Sequence, residues 1–447
     1  MNTKTFGIGG IHPRENKLTA GKAIVPIAPP SQVVILLSQH IGAPAQSIVS
    51  KGDVVKVGTL IATANGFVSA NIHSPVSGVV AKIDTVADAT GYQKPAIYIN
   101  VEGDEWEPEI DRSTTLVREC NLSPKEIIEK IDRMGIVGMG GATFPTKVKL
   151  MPPPNTKAEV LIINAVECEP YLTNDHALMM EKADEILVGV EILMKAINVT
   201  RTYIGIETNK PDAIELLQQK AKSYTGIEIV PLQRRYPQGG EKQLIDAVIG
   251  RKVASGALPI STGAVVQNVA TAFAVYEAVQ KNKPLIERVV TVTGKQLSRP
   301  GNYLSRMGVS ISHLIEAAGG LPQESGKVVL GGPMMGKSTA NLDTPTGKGT
   351  SGILIFAENE AHRQEPSPCI RCAKCVAACP MGLEPYLLSK AVAVNNLEIA
   401  EENRIYDCIE CGCCSFSCPA YRPLLDYIRQ GKGSVMAIMR ARSAEKK

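Results

Sequence analysis

Cysteines dominate the chemistry that this sequence suggests. Nine of the 11 cysteines lie between residues 369 and 418, and eight of them form two copies of the pattern Cys-x2-Cys-x2-Cys-x3-Cys-Pro. The second copy repeats the first 39 residues later. This spacing is typical of paired [4Fe–4S] clusters. The candidate ligands are Cys369, Cys372, Cys375, Cys379, Cys408, Cys411, Cys414 and Cys418.

The two copies are expected to exchange their last cysteine. In such pairs three thiolates bind one cubane, and the fourth cysteine, beside proline, binds the other. One cluster would therefore use Cys369, Cys372, Cys375 and Cys418, and the other Cys408, Cys411, Cys414 and Cys379. A pair of tetrahedral zinc sites is the alternative. Cys413 is surplus, and a buried packing role is favoured over ligation.

A glycine-rich loop follows a predicted helix. Its sequence from residue 135 is Gly-Ile-Val-Gly-Met-Gly-Gly-Ala-Thr-Phe-Pro-Thr-Lys. It departs from the Rossmann fingerprint, because Thr143 stands where the third glycine belongs and the loop follows a helix. Closely spaced glycines expose backbone N–H groups to a phosphate, and Lys147 and Lys149 follow. The loop is therefore a candidate anion site, with a purely structural turn as the alternative.

Two carboxylates follow the apolar run 160–166, in the phrase Asn164-Ala-Val-Glu167-Cys-Glu169-Pro170. A short, uninterrupted, β-branched run is typical of a strand buried on both faces. Side chains just after such a strand lie at the edge of the sheet where ligands bind. A solvated loop is the alternative interpretation of Glu167 and Glu169.

Alternating helices and strands should position these residues. The order predicts a largely parallel sheet covered by helices on both faces. The predicted helices are 124–134, which opens on a capping box at Ser123, 184–197 and 212–224, and the predicted strands are 160–166, 202–206 and 228–232.

The remaining sequence predicts a multidomain α/β protein. Residues 31–110 resemble the lipoyl and biotinyl carrier β-sandwich, although residues 59–73 lack the lysine that such carriers modify. A helix, not a hairpin, is expected between Cys379 and Cys408. The predicted units are an N-terminal extension (1–30), the lipoyl-like sandwich (31–110), a Rossmann-like domain (115–285), a small α+β module (286–340), a linker (341–365), an α-helical two-cluster ferredoxin domain (366–430) and a basic tail (431–447).

Charge and hydropathy exclude several classes of protein. A net charge of +4, evenly spread, argues against a nucleic-acid-binding protein. The uncharged stretch 253–276 contains Pro259 and several polar residues, so a buried segment with a loop is favoured over a membrane span. The end of the chain is basic and could contact an anionic membrane or an acidic partner. A solvated terminus is nevertheless favoured, because chain ends are usually solvated. Its cations are Arg429, Lys432, Arg440, Arg442, Lys446 and Lys447.

Residues 138–150 and 164–170 together resemble the flavin- and NADH-binding subunit of respiratory complex I. Adding the sandwich, the phrase His12-Pro-x-Glu-Asn-Lys17, Gly331-Gly-Pro-Met-Met-Gly336 and the twin cysteine pattern, nearly the whole chain resembles the RnfC subunits of the Rnf electron-transport complexes. The resemblance implies that residues 288–336 form a β-grasp module of the soluble-ligand-binding type. A structural spacer without a ligand is the favoured role for that module.

The resemblance also implies specific cofactor contacts. Gly138, Gly140, Gly141 and Lys149 would hold the phosphate and ribityl chain of FMN, Asn164 and Glu167 would contact the flavin, and Phe144 and Glu169 would contact NAD(H). Tyr236, Glu241 and Asn268 match further nucleotide-contact segments. The complex I pattern has glutamate where Gly240 stands and asparagine where Gln267 stands, which puts nucleotide contacts at these two positions in doubt.

The resulting expectation is an NAD-linked oxidoreductase subunit with FMN and two [4Fe–4S] clusters. The resemblance implies electron exchange between NAD(H) and ferredoxin or flavodoxin, coupled to ion movement by the whole complex. It also implies integral and peripheral partner subunits and a location on the cytoplasmic face of the plasma membrane. Two rivals remain: a cobalamin reductase of metabolic microcompartments, and a cluster-bearing scaffold or relay protein without flavin.

Overall fold

The computed structural model describes residues 3–445, and its regular elements fall into four groups along the chain. The strands are β1 (Ile24–Pro26), β2 (Gln32–Leu36), β3 (Gln46–Ser47), β4 (Val54–Val55), β5 (Leu60–Thr63), β6 (Ile72–His73), β7 (Gly78–Ala87), β8 (Gln93–Val101), β9 (Val160–Asn164), β10 (Thr202–Glu207), β11 (Ile227–Leu232), β12 (Ala264–Asn268), β13 (Glu287–Thr293), β14 (Gly301–Arg306), β15 (Ser325–Leu330), β16 (Lys337–Thr339) and β17 (Gly352–Ala357).

The helices lie mostly between residues 124 and 280 or between residues 358 and 445. They are α1 (Pro124–Arg133), α2 (Thr146–Leu150), α3 (Asn174–Glu181), α4 (Ala183–Ala196), α5 (Pro211–Ala221), α6 (Glu241–Ile249), α7 (Val269–Gln280), α8 (Ile311–Ala317), α9 (Glu358–Ala361), α10 (Lys374–Ala377), α11 (Pro385–Ala393), α12 (Leu397–Glu402), α13 (Cys413–Phe416) and α14 (Leu424–Glu445). Short 3₁₀ turns lie at Pro259–Thr262 and Ile405–Asp407.

The first group is a β-sandwich. One antiparallel sheet has the order β2-β8-β7-β4, and a smaller one has the order β3-β5-β6. Val33, Ile35, Ile61, Ile97 and Ile99 fill the space between them and are at most 1% exposed. Alternating inward and outward side chains along β2 explain why these short strands pack as two layers.

The second group is the predicted parallel sheet, with the order β11-β10-β9-β12 and every pair parallel. Strand β9 ends at Asn164, two residues before the end of the apolar run, and helix α1 opens on the predicted capping box at Ser123. Helices α4 and α7 pack together against one face of the sheet. The stretch 253–276 forms a loop, a 3₁₀ turn, β12 and most of α7, so the buried segment predicted there is confirmed.

The third group is a six-stranded mixed sheet with the order β1-β14-β13-β17-β15-β16. Strand β17 lies between β13 and β15, and Ile353 and Leu354 within it are fully buried. The linker predicted for residues 341–365 is therefore wrong at residues 352–357. That prediction was based on the Gly- and Thr-rich composition of the stretch before β17. The strand itself is defined by its pairing with β13 and β15, which composition does not show.

The fourth group is helical and contains both cysteine copies. Helices α11 and α12 lie between Cys379 and Cys408, which confirms the helical insertion. Helix α14 continues through the predicted boundary at residue 430. Gly431 lets α14 approach α11, because a Cβ there would lie 2.1 Å from Val392 Cγ2. Val435 is fully buried, and Arg442 pairs with Glu401 at 2.9 Å.

The prediction of a solvated basic tail is thus wrong as far as Met439, where α14 packs on its own domain, whereas residues 440–445 are exposed, as that prediction expects. Of its cations, Arg429, Lys432 and Arg442 form ion pairs within the chain. Lys446 and Lys447 lie outside the described residues.

The N-terminal extension crosses three of the four groups. The backbone N–H of Gly10 donates to the carbonyl of Ala378 in the ferredoxin domain at 2.9 Å, and Ile11 pairs with Tyr236 in both directions at 2.8 Å. Further on, β1 adds a parallel edge strand to β14. This extension therefore ties together elements that are far apart in sequence.

Among residues 3–445, none of the helices combines the length and the apolar character that a bilayer crossing requires.

Candidate functional site

The glycine loop leaves helix α1 and returns as helix α2. Its base is closed by a hydrogen bond from the Gly138 N–H to the Phe144 carbonyl at 2.8 Å. The Met139 N–H donates to the Thr271 hydroxyl at 2.9 Å, which fixes the loop to the first turn of α7. Gly141 has a φ of +110°, and a Cβ there would meet no atom within 4 Å. The exposed backbone at Gly140 and Gly141 is therefore open to a ligand.

The carboxyl ends of β9 and β12 meet beside this loop. A Cβ on Gly140 would lie 3.3 Å from the Asn268 side chain. The Asn268 side-chain amide donates to Asp175 at 2.7 Å, and the Asp175 backbone N–H donates to Glu167 Oε1 at 2.7 Å. The structure thus brings Gly140, Asn268 and Glu167 together, and it adds Asp175, which the sequence analysis missed.

Glu167 is held in a buried position. Its side chain is 3% exposed, and its Oε2 has no hydrogen-bond partner among the described residues. Burial raises the pKa of Glu167 to about 7, and the ammonium of Lys17, 3.9 Å from Oε2, only partly opposes this. Burial also raises the pKa of Asp175. Two neighbouring buried carboxyl groups therefore lie where β9 ends.

Two lysines that sequence reasoning missed support the turn after β9. The Lys17 ammonium donates to the carbonyls of Glu167, Glu169 and Leu172 at 2.9, 3.0 and 2.6 Å. The buried Lys210 ammonium donates to the Val166 carbonyl at 2.7 Å. Lys17 closes the phrase that begins at His12, so a signal was present in the sequence, although its role was not.

Asn164 links β9 to the segment before α6. Its side-chain amide donates to the Gly239 carbonyl at 2.8 Å. At the start of α6, Glu241 accepts a hydrogen bond from the Lys149 ammonium at 2.7 Å, and Lys149 also donates to the Val266 carbonyl at 3.1 Å. Lys149 and Glu241 are therefore paired with each other in the ligand-free chain. Phe144 is half-buried and engages the loop through its carbonyl.

Glu169 and Tyr236 lie at the other side of the crevice, against the cysteine domain. The Glu169 carboxylate accepts hydrogen bonds from the backbone N–H groups of Met334 and Met335 at 3.1 and 2.9 Å. The Tyr236 hydroxyl donates to the Cys411 carbonyl at 2.9 Å and lies 3.3 Å from Glu169 Oε1. The crevice and a candidate cluster ligand are thus joined through one tyrosine.

The cysteines separate into two environments. Cys379 of the first copy lines one cavity together with three cysteines of the second copy, Cys408, Cys411 and Cys414. Cys375 is buried in the apolar group of the helical domain, and Cys418 packs against the same group. Cys369 and Cys372 are exposed. Each copy's last cysteine therefore lies beside the other copy.

Cys413 also lines the cavity, fully buried, with its Sγ directed at the Tyr236 carbonyl 3.8 Å away.

The residues present fit the two kinds of cofactor. Four thiols around one cavity supply the soft sulfur donors that iron–sulfur clusters require. In the crevice, a glycine backbone that can approach a phosphate lies beside the unpartnered buried oxygen of Glu167, which a flavin polar group could satisfy.

Family models match four consecutive parts of the chain. The RnfC barrel sandwich hybrid domain matches residues 5–104, and the Nuo51 FMN-binding domain matches residues 131–277. The SLBB domain matches residues 289–338, and the 4Fe-4S dicluster domain matches residues 361–419. The cofactors are therefore FMN and iron–sulfur clusters, and the zinc alternative is displaced.

Curated relatives cover most of the chain. The C subunit of the proton-translocating ferredoxin:NAD(+) oxidoreductase complex of Clostridium ljungdahlii is 45% identical, over 94% of this chain and 92% of the relative. The Na(+)-translocating counterpart of Acetobacterium woodii is 42% identical, over 98% and 99%. The C subunit of the ion-translocating oxidoreductase complex of Rhodobacter capsulatus is 43% identical, over 88% and 76%.

Solved structures give a weaker likeness. An NAD+-reducing [NiFe]-hydrogenase in the H2-reduced state is 20% identical and reaches a TM-score of 0.48, covering 70% of this chain and 62% of that one. This likeness is too distant to carry a functional argument. The curated relatives and the four family models agree with the crevice and the cysteine cavity, and the chain belongs to the RnfC family, the C subunits of the ion-translocating ferredoxin:NAD+ oxidoreductase (Rnf) complexes.

Proposed function

We propose that this chain is the peripheral subunit that exchanges electrons between NAD(H) and ferredoxin or flavodoxin within a membrane-bound, ion-translocating complex. The observation that carries the proposal is the contact of Tyr236 with both Glu169 and the Cys411 carbonyl. It brings the nucleotide crevice and a cluster-binding loop into direct contact, as electron transfer between them requires. The names of the curated relatives support the same reaction.

Bound FMN supplies the exchange of a hydride with nicotinamide and of single electrons with clusters. This chain's residues bind and orient it. Backbone N–H groups of Gly140 and Gly141 would receive the phosphate, and Gly138 would hold the base of the loop through its own bond to the Phe144 carbonyl. Lys149 would turn from Glu241 toward the phosphate charge. Asn164 and Glu167 would contact the flavin.

The nicotinamide nucleotide would bind in the same crevice. Phe144 offers an aromatic face, and Glu169, Tyr236, Glu241 and Asn268 supply polar groups around it. The bonds between Lys149 and Glu241 and between Asn268 and Asp175 keep these side chains in place in the ligand-free chain. Gly240 and Gln267, which differ from the complex I pattern, stay outside this assignment.

The two clusters occupy different places in the route. Cys379, Cys408, Cys411 and Cys414 would hold one cluster, which we call the buried cluster, and it would accept single electrons from the crevice. Cys369, Cys372, Cys375 and Cys418 would hold the other, which we call the exposed cluster, and it would exchange electrons with the next subunit. The exposure of Cys369 and Cys372 supports this order.

The chain is a subunit of a membrane-associated complex, and we propose that it lies on the cytoplasmic face. NAD(H) and ferredoxin are cytoplasmic reactants, which supports that side. Attachment then comes from integral partner subunits, as the similarity to C subunits of ion-translocating complexes implies.

The test is the visible spectrum of anaerobically purified protein, reconstituted with clusters and FMN, before and after NADH. We expect flavin bands and broad cluster absorption that NADH bleaches. The control is the same preparation without FMN, in which NADH should leave the cluster absorption unchanged.

Cluster absorption without any bound flavin, indifferent to NADH, would contradict the proposal and favour the scaffold alternative. Reduction of cobalamin by protein that fails to join integral membrane subunits would favour the microcompartment reductase.

A further inference from the structure

The loop between β15 and β16 in the β-grasp module contacts both cofactor regions. We call residues 331–336, Gly-Gly-Pro-Met-Met-Gly, the bridging loop. Its base is anchored, because the Gly331 N–H donates to the Gly352 carbonyl on β17 at 2.7 Å and the Gly336 N–H donates to the Gly332 carbonyl at 2.9 Å. A loop closed on a central strand holds a defined position.

One side of the bridging loop faces the nucleotide crevice. Its Met334 and Met335 N–H groups donate to the two oxygens of Glu169. Gly332 is needed at this contact, since a Cβ there would lie 2.2 Å from Glu169 Oε2. Hydrogen bonds to a carboxylate are among the stronger bonds in proteins, so this contact is a firm attachment.

The other side of the bridging loop faces the buried cluster. A Cβ on Gly412 would lie 3.0 Å from the Met334 carbonyl oxygen and 3.5 Å from Met334 Cε. Met334 packs with Cys411, Cys413 and Tyr236 in one apolar group. The Met335 side chain, by contrast, is 45% exposed. Adjacent methionines of one loop therefore point in different directions, one onto the cluster loop and one into solvent.

We propose that the bridging loop fixes the buried cluster against the nucleotide crevice, and that Met334 is the positioning residue of this contact. The loop's backbone holds Glu169 while the Met334 side chain covers Gly412 between two cluster ligands. The β-grasp module then acts as a spacer that holds the cluster-binding loop against the nucleotide crevice. This inference rests on the proposed function for the identity of the cofactors.

The physical consequence concerns the cluster's reduction potential. A reduced [4Fe–4S] cluster carries one more negative charge than the oxidised form, and water stabilises the more charged form. Solvent exposure is one of the factors that set cluster potentials. Met334 excludes water from the loop that carries Cys411 and Cys414, so it holds the potential of the buried cluster low.

The experiment uses the full chain loaded with both clusters and FMN. Redox titration followed by electron paramagnetic resonance gives the potentials of the two clusters. We expect Met334→Ala to raise one potential and leave the other in place. At a fixed ambient potential, the ratio of reduced to oxidised cluster should rise about tenfold. This corresponds to a rise of about 59 mV in the reduction potential of a one-electron couple.

Two further variants separate positioning from general packing. Met334→Leu, which restores apolar volume, is expected to return the potential to its original value. Met335→Ala removes the neighbouring exposed side chain, keeps both backbone N–H groups and is expected to shift neither potential. If Met334→Ala loses iron, the comparison passes to Met334→Gln and Met334→Leu, of similar size, where only the polar variant should raise the potential.

Unchanged potentials in both Met334→Ala and Met334→Gln would overturn the inference, as would an equal shift in Met335→Ala. The titration uses a chemical reductant and needs no NADH. A protein that fails to bind FMN or to react with NADH therefore refutes the proposed function separately from the role of Met334.

Discussion

The two cysteine copies have the same spacing but different surroundings. Around the second copy, Cys411, Cys413 and Cys414 are buried, and the Lys432 ammonium donates to the Cys408 carbonyl at 2.7 Å. In the first copy, Cys369 and Cys372 are exposed, and Ile370 between them is 69% exposed. Ligand spacing sets which metal group binds, whereas elements from other domains determine what each cluster can exchange electrons with.

The second copy therefore lies against the crevice, whereas the first two cysteines of the first copy lie at the surface. Tyr236, the bridging loop and α14 all contact the second copy. The exchange of Cys379 into the second copy's cavity links the two environments within the ferredoxin domain. Four predictions test how far this asymmetry extends.

Removing a ligand should have the largest effect, and a different one in each copy. Cys408→Ala is expected to abolish NADH-driven reduction of the remaining cluster, because the route from the crevice is interrupted. Cys372→Ala is expected to lose the exposed cluster and keep NADH-driven reduction of the other. Iron analysis and electron paramagnetic resonance after NADH give the readout.

The control is Cys413→Ala, which should retain both clusters. Equal loss of NADH-driven reduction in Cys408→Ala and Cys372→Ala would contradict the order of the clusters.

The N-terminal extension offers the second comparison. Gly9 has a φ of +68°, and a Cβ there would lie 2.4 Å from the backbone of Cys379. Gly21 has a similar φ of +73° in open space. Each alanine substitution costs about 1–2 kcal/mol of backbone strain, but only Gly9→Ala also displaces a ligand of the buried cluster. We expect Gly9→Ala to lower iron content and thermal stability well beyond Gly21→Ala; equal behaviour of the two would refute the contact.

Glu167, on the buried side of the comparison, should make the stability of the chain depend on pH. Its pKa is raised from 4.5 to about 7, so the folded chain binds this proton more tightly than the unfolded chain. Stability is therefore lost as the pH rises from about 4.5 to about 7. Glu167→Gln should stabilise FMN-free protein by up to about 3 kcal/mol above pH 7, and this gain should vanish toward pH 4.5.

Anaerobic urea unfolding at several pH values measures the gain. A gain that is independent of pH would show that Glu167 ionises normally.

Charge near each cluster should have the smallest effect. Lys432→Met removes a cation that contacts the Cys408 carbonyl and Glu410, so the potential of the buried cluster should fall by up to about 59 mV. Arg371→Met removes an exposed cation beside Cys372, where water screens the charge. Redox titration should show the smaller shift for Arg371→Met, and the reverse order would contradict the assignment of buried and exposed clusters.

Local patterns predicted much of the fold. The capping box at Ser123, the apolar run of β9 and the twin cysteine spacing are short-range signals, and each corresponds to an element or a group in the structure. Strand β17 was missed because its evidence is its pairing with β13 and β15, and no composition rule reveals a partner strand about 60 residues earlier.

The candidate site was predictable in outline and less so in its contacts. The glycine loop and the residues after β9 could be identified from type and spacing, with family resemblance supplying their roles. Lys17, Asp175 and Met334 reach the site through contacts with residues more than 90 positions away or through backbone geometry. Such long-range contacts leave no periodic pattern in the sequence.

The N-terminal extension has a consequence for biosynthesis. Gly10 is bonded to Ala378, which a ribosome adds 368 residues later. At about 5–20 residues per second, the first segment waits roughly 20–70 seconds for that partner. Ile11 and β1 have earlier partners at Tyr236 and β14, so it is the contact of Gly9 and Gly10 with the cysteine domain that closes last.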